Sequence, residues 1–216
     1  MIIAIMPAHN EDKAIKKVAE RTKKYVDKLI IVDDASSDNT NAIVKKLGSI
    51  VVTHKKNRGL GGALRSGFKK ALEISKSDED IIITIDADGQ HVPEEIPIFV
   101  KEINKGYGFV LGKRDLSKYP FVKKFGNFFL NLFTNVVCGT NLKDTESGFR
   151  AFTRKSLKKM TFKGERYEIA AEILYQIGKN KVKSSNVDIT IPIYVKGVGV
   201  FDGFKNFWYL LKIRFS

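Results

Sequence analysis

Two acidic residues separated by a single position carry the clearest chemical signal in the sequence. Asp86 and Asp88 directly follow the apolar run Ile81 to Ile85, so both carboxylates can be turned toward one point where a strand ends. Two unpaired carboxylates repel each other, and a hard divalent cation removes that repulsion by taking oxygen ligands from both. The Gln90 carbonyl can add a further oxygen. The segment therefore predicts a Mg²⁺ or Mn²⁺ site that binds a diphosphate and acts as a Lewis acid.

Polar clusters also follow the first two apolar runs of the chain. Residues 7–11 read Pro-Ala-His-Asn-Glu, and residues 33–38 read Asp-Asp-Ala-Ser-Ser-Asp. Taken alone, Ser36 or Asp38 could simply cap the helix that contains Ile43 and Leu47. Three such clusters at the ends of successive strands instead favour one ligand site, because ligands of wound sheets bind at the carboxyl ends of the strands.

The elements that must position these residues alternate in type. Five short β-branched runs are spaced like strands, at Ile2–Met6, Leu29–Val32, Ile50–Thr53, Ile81–Ile85 and Phe109–Leu111. Helical patterns separate most of them, with apolar residues on one face and Lys or Glu on the other. This alternation predicts an α/β fold with a mostly parallel, Rossmann-like sheet flanked by helices. A further strand is expected at Phe149–Phe152.

Composition narrows the classes of protein. With 216 residues, 43% hydrophobic and 29% charged, the chain can fold around one substantial core, and we expect a single compact domain. Its single cysteine, Cys138, cannot form an internal disulfide. The net charge of +14 favours anionic partners such as nucleotides and lipid phosphates. Met1 opens directly into a strand, and no apolar run reaches about 20 residues, so we expect a cytoplasmic protein, peripheral on a membrane surface.

In order along the chain, six motifs resemble those of the family 2 inverting glycosyltransferases with the GT-A fold, in particular the dolichyl-phosphate mannose synthase-like branch. They lie at Pro7 to Glu11, Val32 to Thr40, Asn57 to Gly67, Asp86 to Gln90, Gly112 to Arg114 and Asp144 to Arg150. The resemblance implies a nucleotide-sugar-binding half, residues 1–113, and an acceptor-binding half, residues 114–216.

The resemblance also implies roles for individual residues. An acidic residue of the Asp33–Asp34 pair would contact the base. Metal would lie on Asp86, Asp88 and Gln90. The residues implied to hold the nucleotide are Pro7, Ala8, Asn10, Glu11, Asp33, Asp34, Ser36, Asn57, Gly59, Asp86 and Ala87.

A polyprenyl (dolichyl) phosphate acceptor needs no strong general base, because a phosphate monoester is mostly dianionic at neutral pH. In-line attack by this phosphate would invert the anomeric carbon, with Asp88, Arg114 and Asp144 as catalytic residues. An ordinary turn role for Asp144 is the alternative. The residues expected to hold the acceptor phosphate are Arg114, Lys123, Lys124, Ser147 and Arg150.

Two stretches of the second half have amphipathic patterns. Between Phe121 and Val137, apolar residues lie largely opposite Lys123, Lys124 and three asparagines. Near the chain end, a stripe of Phe201, Phe204, Trp208, Leu211 and Phe215 accompanies basic residues. Both suit helices at the membrane surface that face the acceptor. Packing in the core, or against a partner, explains the same patterns.

Rival interpretations are weaker but stay open. Transfer to a sugar hydroxyl in cell-wall or surface polysaccharide assembly is the main alternative. A basic nucleic-acid-binding protein is a distant one, because the acidic strand ends would repel a phosphate backbone, and we expect no nucleic-acid partner. The sequence does not distinguish a UDP-linked from a GDP-linked donor.

Overall fold

The structure is a computed structural model that describes residues 1–115, 121–191, 208–210 and 212–214, with the side chains of 121–128 left undescribed. Seven strands form one sheet in the order β3-β2-β1-β4-β6-β5-β7. The strands are β1 (Ile2–Ala8), β2 (Lys28–Asp33), β3 (Ile50–Thr53), β4 (Ile81–Thr84), β5 (Phe109–Arg114), β6 (Arg150–Thr153) and β7 (Ser184–Ile189).

Helices connect most of the strands and cover both faces of the sheet. They are α1 (Ile15–Thr22), α2 (Thr40–Lys45), α3 (Gly59–Ile74), α4 (Ile96–Asn104), α5 (Phe121–Cys138), α6 (Arg154–Leu157) and α7 (Glu168–Lys179), with a short 3₁₀ helix at Pro93–Glu95. Residues 208–210 and 212–214 are also helical.

The predicted α/β fold with a mostly parallel sheet is confirmed. Strands β1 to β4 pair in parallel, β6 runs antiparallel between β4 and β5, and β7 is parallel to β5. The expected strand near residues 149–152 is β6, shifted by one residue. Strand β7 was not predicted, because its sequence, Ser-Ser-Asn-Val-Asp-Ile, lacks a continuous apolar run.

Side chains that alternate along the strands build an apolar layer on each face of the sheet. Ile3 and Ile5 belong to a cluster that includes residues of α3 and α7. Ala4 and Met6 point to the other face, where α1 and α4 pack. Because both faces are covered, the carboxyl edge of the parallel strands is where the connecting loops can meet a ligand.

Helix α5 presents its polar side to the protein and part of its apolar side to solvent. Asn131 accepts hydrogen bonds from the backbone and hydroxyl of Thr145, and Asn135 binds the backbone of Leu142 at both its N–H and its carbonyl. On the other side, Phe129, Leu132 and Val136 are 51%, 50% and 72% exposed. Cys138, near the helix end, is buried, as expected for a structural thiol.

No helix within the described ranges is both long enough and apolar enough to cross a membrane.

Candidate functional site

The loops after β1 and β2 are joined by side-chain to backbone hydrogen bonds. Asn10 donates its N–H to Ser36 Oγ at 3.0 Å, and its side-chain oxygen accepts from the Ser37 N–H at 2.8 Å. Glu11 donates its N–H to Thr40 Oγ1 at 2.8 Å. Asn10 and Ala35 both have positive φ, of 58° and 57°, which bends the two loops toward each other. The first two predicted motifs therefore form one continuous surface.

Asp33 and Asp34 are both buried and point to different partners. Asp33 accepts from the Ser36 N–H and from Asn41 Nδ2. Asp34 accepts the Arg58 N–H on both oxygens, at 2.9 and 3.1 Å, and so caps the N-terminus of α3 from a distant strand. A carboxylate at this position also complements the helix dipole. Pro7 and Ala8, expected at the nucleotide, are residues of β1 itself.

The third motif lies where β3 passes into α3. Asn57 Oδ1 accepts the Gly59 N–H at 3.0 Å, and Gly59 has a φ of +73°. A Cβ atom on Gly61 would lie 2.4 Å from the carbonyl oxygen of Gly164. The Gly62 N–H donates to the carbonyl of Glu165 at 3.0 Å. The loop before α7 thus packs directly on the start of α3, which only glycine permits.

Asp86 and Asp88 lie in the turn after β4, as predicted. Asp88 accepts from the backbone N–H of Gln90 at 2.9 Å and from its side-chain amide at 2.5 Å. His91 Nδ1 accepts the Asp86 N–H at 3.2 Å, and the His91 ring packs on Phe149 at a centroid distance of 5.0 Å. His91 therefore fixes the backbone of the turn, and 35% of the Asp86 side chain remains exposed. Ala87, between the two acids, is buried.

Glu11 shares the electrostatic environment of these acids. Its burial, and then the negative charges of Asp88, Asp86 and Asp38, raise the pKa of Glu11 to about 7. The charge of His9 acts in the opposite direction but does not cancel these effects. The carboxyl edge thus carries concentrated negative charge in an otherwise basic protein.

The acidic residues at this edge of the sheet suit a divalent cation that a diphosphate also binds. Within the described part of the chain, no group of three or more His, Cys, Asp or Glu side chains has the arrangement of a closed metal cage. Mg²⁺, however, is usually held by one or two carboxylates, with phosphate oxygens and water completing its shell. Asp86 and Asp88 supply that number, so the donor set fits a metal bound together with a diphosphate.

Arg114 and Asp144, from β5 and the loop before β6, form a bidentate ion pair. Arg114 donates Nε to Asp144 Oδ2 and one terminal nitrogen to Oδ1, both at 2.6 Å, and its backbone N–H adds a third bond at 2.9 Å. The Asp144 side chain is 1% exposed and that of Arg114 is 22% exposed. One arginine thus fills three of the roughly four acceptor positions of the Asp144 carboxylate, and a buried carboxylate in such an ion pair suits a positioning role better than that of a general base.

Two buried side chains beside this pair have polar atoms without a hydrogen-bond partner among the residues that the structure describes. They are Ser147 Oγ and Arg150 Nε. Burial lowers the pKa of Arg150 to about 10, while the charges of Glu146, Asp86 and Asp144 act in the opposite direction. A Cβ atom on Gly148 would lie 2.8 Å from Asp86 Oδ2, so this loop runs directly against the fourth motif. The structure therefore brings Ser147 and Arg150 to the acidic turn.

The side chains of Lys123 and Lys124, predicted at the acceptor phosphate, lie outside the described residues. So do Phe201, Phe204, Leu211 and Phe215 of the C-terminal stripe. Of that stripe, Trp208 is described and is 68% exposed.

Two residues with structural roles in this region, His54 and Glu172, were not predicted from the sequence. His54 Nδ1 contacts Asp34 Oδ1 at 2.6 Å, although in the sequence it is a lone histidine after β3. Glu172, on the buried face of α7, accepts the backbone N–H groups of Lys163 and Gly164 and holds the loop that packs on α3. An acidic residue at an apolar helix position is the one hint that the sequence offers for Glu172.

Comparison with known proteins places this geometry in a family. The family model described as Glycosyl transferase family 2 matches residues 3–161. The UDP-N-acetylglucosamine–dolichyl-phosphate N-acetylglucosaminyltransferase of Methanococcus voltae is 36% identical over 245 residues, which cover 99% of this chain and 96% of that protein. The dolichyl-phosphate beta-glucosyltransferase of Dictyostelium discoideum is 29% identical over 216 residues, which cover 86% of this chain and 64% of that protein.

Among solved structures, glucosyl-3-phosphoglycerate synthase from Mycobacterium tuberculosis, in complex with Mn²⁺, UDP-glucose and phosphoglyceric acid, superposes with a TM-score of 0.76. The two chains are 19% identical, and the match covers 99% of this chain and 79% of the other. At this level of identity the similarity shows a shared fold.

Proposed function

The chain belongs to glycosyl transferase family 2 and has the GT-A fold, and we propose that it transfers a sugar from a nucleoside-diphosphate sugar to a polyprenyl (dolichyl) phosphate. This proposal rests on one observation: acidic side chains and a buried arginine lie close together at the edge of the sheet. Asp86 and Asp88 lie at the carboxyl edge of the sheet, and the buried cation Arg150 is close enough to Asp86 for the Asp86 charge to raise the pKa of Arg150 against the effect of burial. The acidic side chains suit a metal with its diphosphate, and the arginine suits an acceptor phosphate.

On the donor side, the joined loops after β1, β2 and β3 would hold the nucleotide, with Asn10, Glu11, Ser36, Asn57 and Gly59 along its path. We propose a UDP-linked donor, supported by the name of the relative from Methanococcus voltae. Asp86, Asp88 and Gln90 would hold Mg²⁺ or Mn²⁺. When bound, this cation supplies charge neutralisation to the leaving diphosphate. Residues 1–113 would thus form the donor half.

On the acceptor side, Arg114, Ser147 and Arg150 would bind the phosphate and orient it for in-line attack on the anomeric carbon, which inverts that centre. The phosphate is already dianionic at neutral pH, so no residue has to remove a proton. Asp144 would then act by fixing the guanidinium of Arg114. Lys123 and Lys124 remain predicted helpers, and residues 114–216 would form the acceptor half.

The lipid acceptor also requires contact with a membrane. The exposed residues Phe129, Leu132 and Val136 occupy one side of α5, and the net charge of +14 favours an anionic lipid surface. We propose that the protein lies peripherally on the cytoplasmic face of the membrane with this side of α5 in contact with lipid.

Transfer to a sugar hydroxyl is the weaker alternative. A hydroxyl has to be deprotonated, and Asp144, the acid best placed on the acceptor side, already accepts three hydrogen bonds from Arg114. Nucleic-acid binding is weaker still, because the acidic edge would repel a phosphate backbone.

The test is to incubate the purified protein with Mg²⁺, dolichyl phosphate and a panel of UDP- and GDP-linked sugars, and to extract the lipid phase. We expect one labelled sugar to enter the lipid fraction in a form that mild acid releases. Release of nucleoside diphosphate that depends on a free sugar acceptor, with no lipid-linked product, would contradict the proposal.

A further inference from the structure

His54 links three elements that surround the proposed nucleotide site. It follows β3, its Nδ1 lies 2.6 Å from Asp34 Oδ1 after β2, and its Nε2 lies 2.8 Å from Ser66 Oγ in α3. Its side chain is 7% exposed. Because a carboxylate oxygen accepts and does not donate, Nδ1 carries a proton, and in the neutral ring Nε2 accepts from the Ser66 hydroxyl. The imidazole is therefore fixed at both nitrogens.

This contact determines how much of Asp34 is left for a ligand. A carboxylate oxygen has about two acceptor positions. Oδ1 accepts from His54 and from the Arg58 N–H, so both of its positions are filled. Of the hydrogen bonds described, Oδ2 accepts one, the longer of the two from the Arg58 N–H, at 3.1 Å. One acceptor position thus remains, on a side chain that is 4% exposed.

Asp34 is also the member of the acidic pair that adjoins the third motif. Successive side chains of a strand point to opposite faces of the sheet. Asp33 binds Asn41 in α2, on the face away from α3. Asp34 binds Arg58, the residue that precedes α3. A base bound against the Asn57 to Gly59 loop would therefore meet Asp34.

We propose that His54 is a positioning residue for nucleotide recognition. It holds Asp34 so that one oxygen presents a single acceptor to one N–H of the base. Uracil offers one imino N–H on its pairing edge, whereas guanine offers an imino N–H and an adjacent amino group that call for two acceptors. His54 therefore helps the site to select a uridine nucleotide. This inference rests on the proposed donor site.

Nucleotide binding in the presence of Mg²⁺, measured by titration calorimetry with UDP and with GDP, tests the inference without any acceptor. His54→Phe keeps an aromatic ring but removes both hydrogen bonds. We expect it to weaken UDP binding about tenfold or more, in line with the loss of a hydrogen bond to a charged group. It should also reduce the preference for UDP over GDP, because Oδ1 becomes available as a second acceptor.

Three further variants separate positioning from general destabilisation. In His54→Asn, an amide N–H replaces Nδ1–H, and we expect UDP affinity to recover most of the loss. Ser66→Ala should have a smaller effect than His54→Phe, because Asp34 keeps its partner. Val52→Ala, on the strand that precedes His54, removes apolar packing alone, so it should lower the melting temperature and leave both nucleotide affinities unchanged.

The outcomes are distinguishable. A wild-type protein that binds neither nucleotide contradicts the proposed function itself. Wild-type binding that His54→Phe leaves unaltered overturns the role of His54 alone. Equal weakening by Val52→Ala and His54→Phe, or an unchanged UDP-to-GDP ratio in His54→Phe, overturns it as well.

Discussion

Asp144 combines an unfavourable backbone conformation with a buried carboxylate that is paired to Arg114. Its φ is +56°, in the left-handed region that non-glycine residues seldom adopt. Such a residue costs about 1–3 kcal/mol and persists only where its surroundings hold it. Here the three hydrogen bonds from Arg114 hold it. The strained residue, Asp144, lies beside the proposed site of the acceptor phosphate. Its carboxylate fixes the position of the Arg114 guanidinium there.

Replacing Asp144 with Asn isolates the charge of this pair, because Asn tolerates the left-handed region at least as well as Asp. We expect a loss of about 2–3 kcal/mol in the free energy of unfolding, since the charge-assisted hydrogen bonds between Arg114 and the buried carboxylate are then weakened. Urea denaturation measures this loss. Transfer to dolichyl phosphate should fall together with it.

Asp188→Asn is the matched control for this change. Asp188 pairs with Lys113, the neighbour of Arg114 on β5, but its side chain is 86% exposed. We therefore expect a change of about 0–1 kcal/mol and near-normal transfer. Equal losses in both variants would show that the Arg114–Asp144 pair has no special role.

At the residue scale, the sequence predicted the acids at strand ends well, because their neighbours in the chain are apolar strands. It did not predict that Asp144 would pair with Arg114, which lies 30 positions away. The partnership of His54 with Asp34 and Ser66 was missed for the same reason. Contacts between distant loops depend on how the sheet brings the strand ends together, and no local pattern encodes that.

The start of α3 shows how one element is fitted to another. Gly61 is a buried residue near the helix N-terminus, and a Cβ atom there would lie 2.4 Å from the Gly164 carbonyl oxygen and 2.7 Å from the Glu165 backbone. Both obstacles are backbone atoms, which cannot rotate away as a side chain can. The loop before α7 is in turn held by Glu172.

For Gly61→Ala, helix propensity and packing predict opposite changes in stability. In an unobstructed helix interior, Gly to Ala stabilises by about 0.5–1 kcal/mol. We expect the opposite, with a lower melting temperature and weaker UDP binding, because the loop must move off the nucleotide motif. A melting temperature equal to or above that of the wild type would contradict the packing described for this contact.

The central strands and the helices between them could be predicted because each has a clear apolar period. Strand β7 could not, since it lies next to β5 as an edge strand, and most of its side chains remain partly exposed. For α5, the amphipathic pattern was visible, but the sequence alone could not show which side faces the protein. Asn131 and Asn135 decide that, because they bind the loop at residues 140–145.

The whole molecule combines an acidic edge of the sheet, an exposed apolar side of α5 and a basic net charge. We expect the protein to sediment with vesicles that contain anionic lipid, and less so as ionic strength rises. Leu132→Glu should reduce this binding several-fold, because it places a charge on the exposed side of α5. Flotation with vesicles of defined composition measures the bound fraction.

Ile98→Glu provides the control for that variant. Ile98 is 38% exposed on α4, whose buried residues pack in the layer on the other face of the sheet. A charge there should leave vesicle binding unchanged. If both variants bind vesicles as the wild type does, α5 is not the membrane-facing helix.

We propose that Asp86 and Asp88 hold a cation that in turn holds the diphosphate of the donor. The most direct measurement is metal-dependent transfer of sugar to dolichyl phosphate by Asp88→Ala, alongside the wild type and Asp188→Ala. We predict that Asp88→Ala folds and melts like the wild type but has lost turnover, whereas Asp188→Ala retains both. Metal-stimulated transfer at the wild-type rate by a folded Asp88→Ala protein would contradict it.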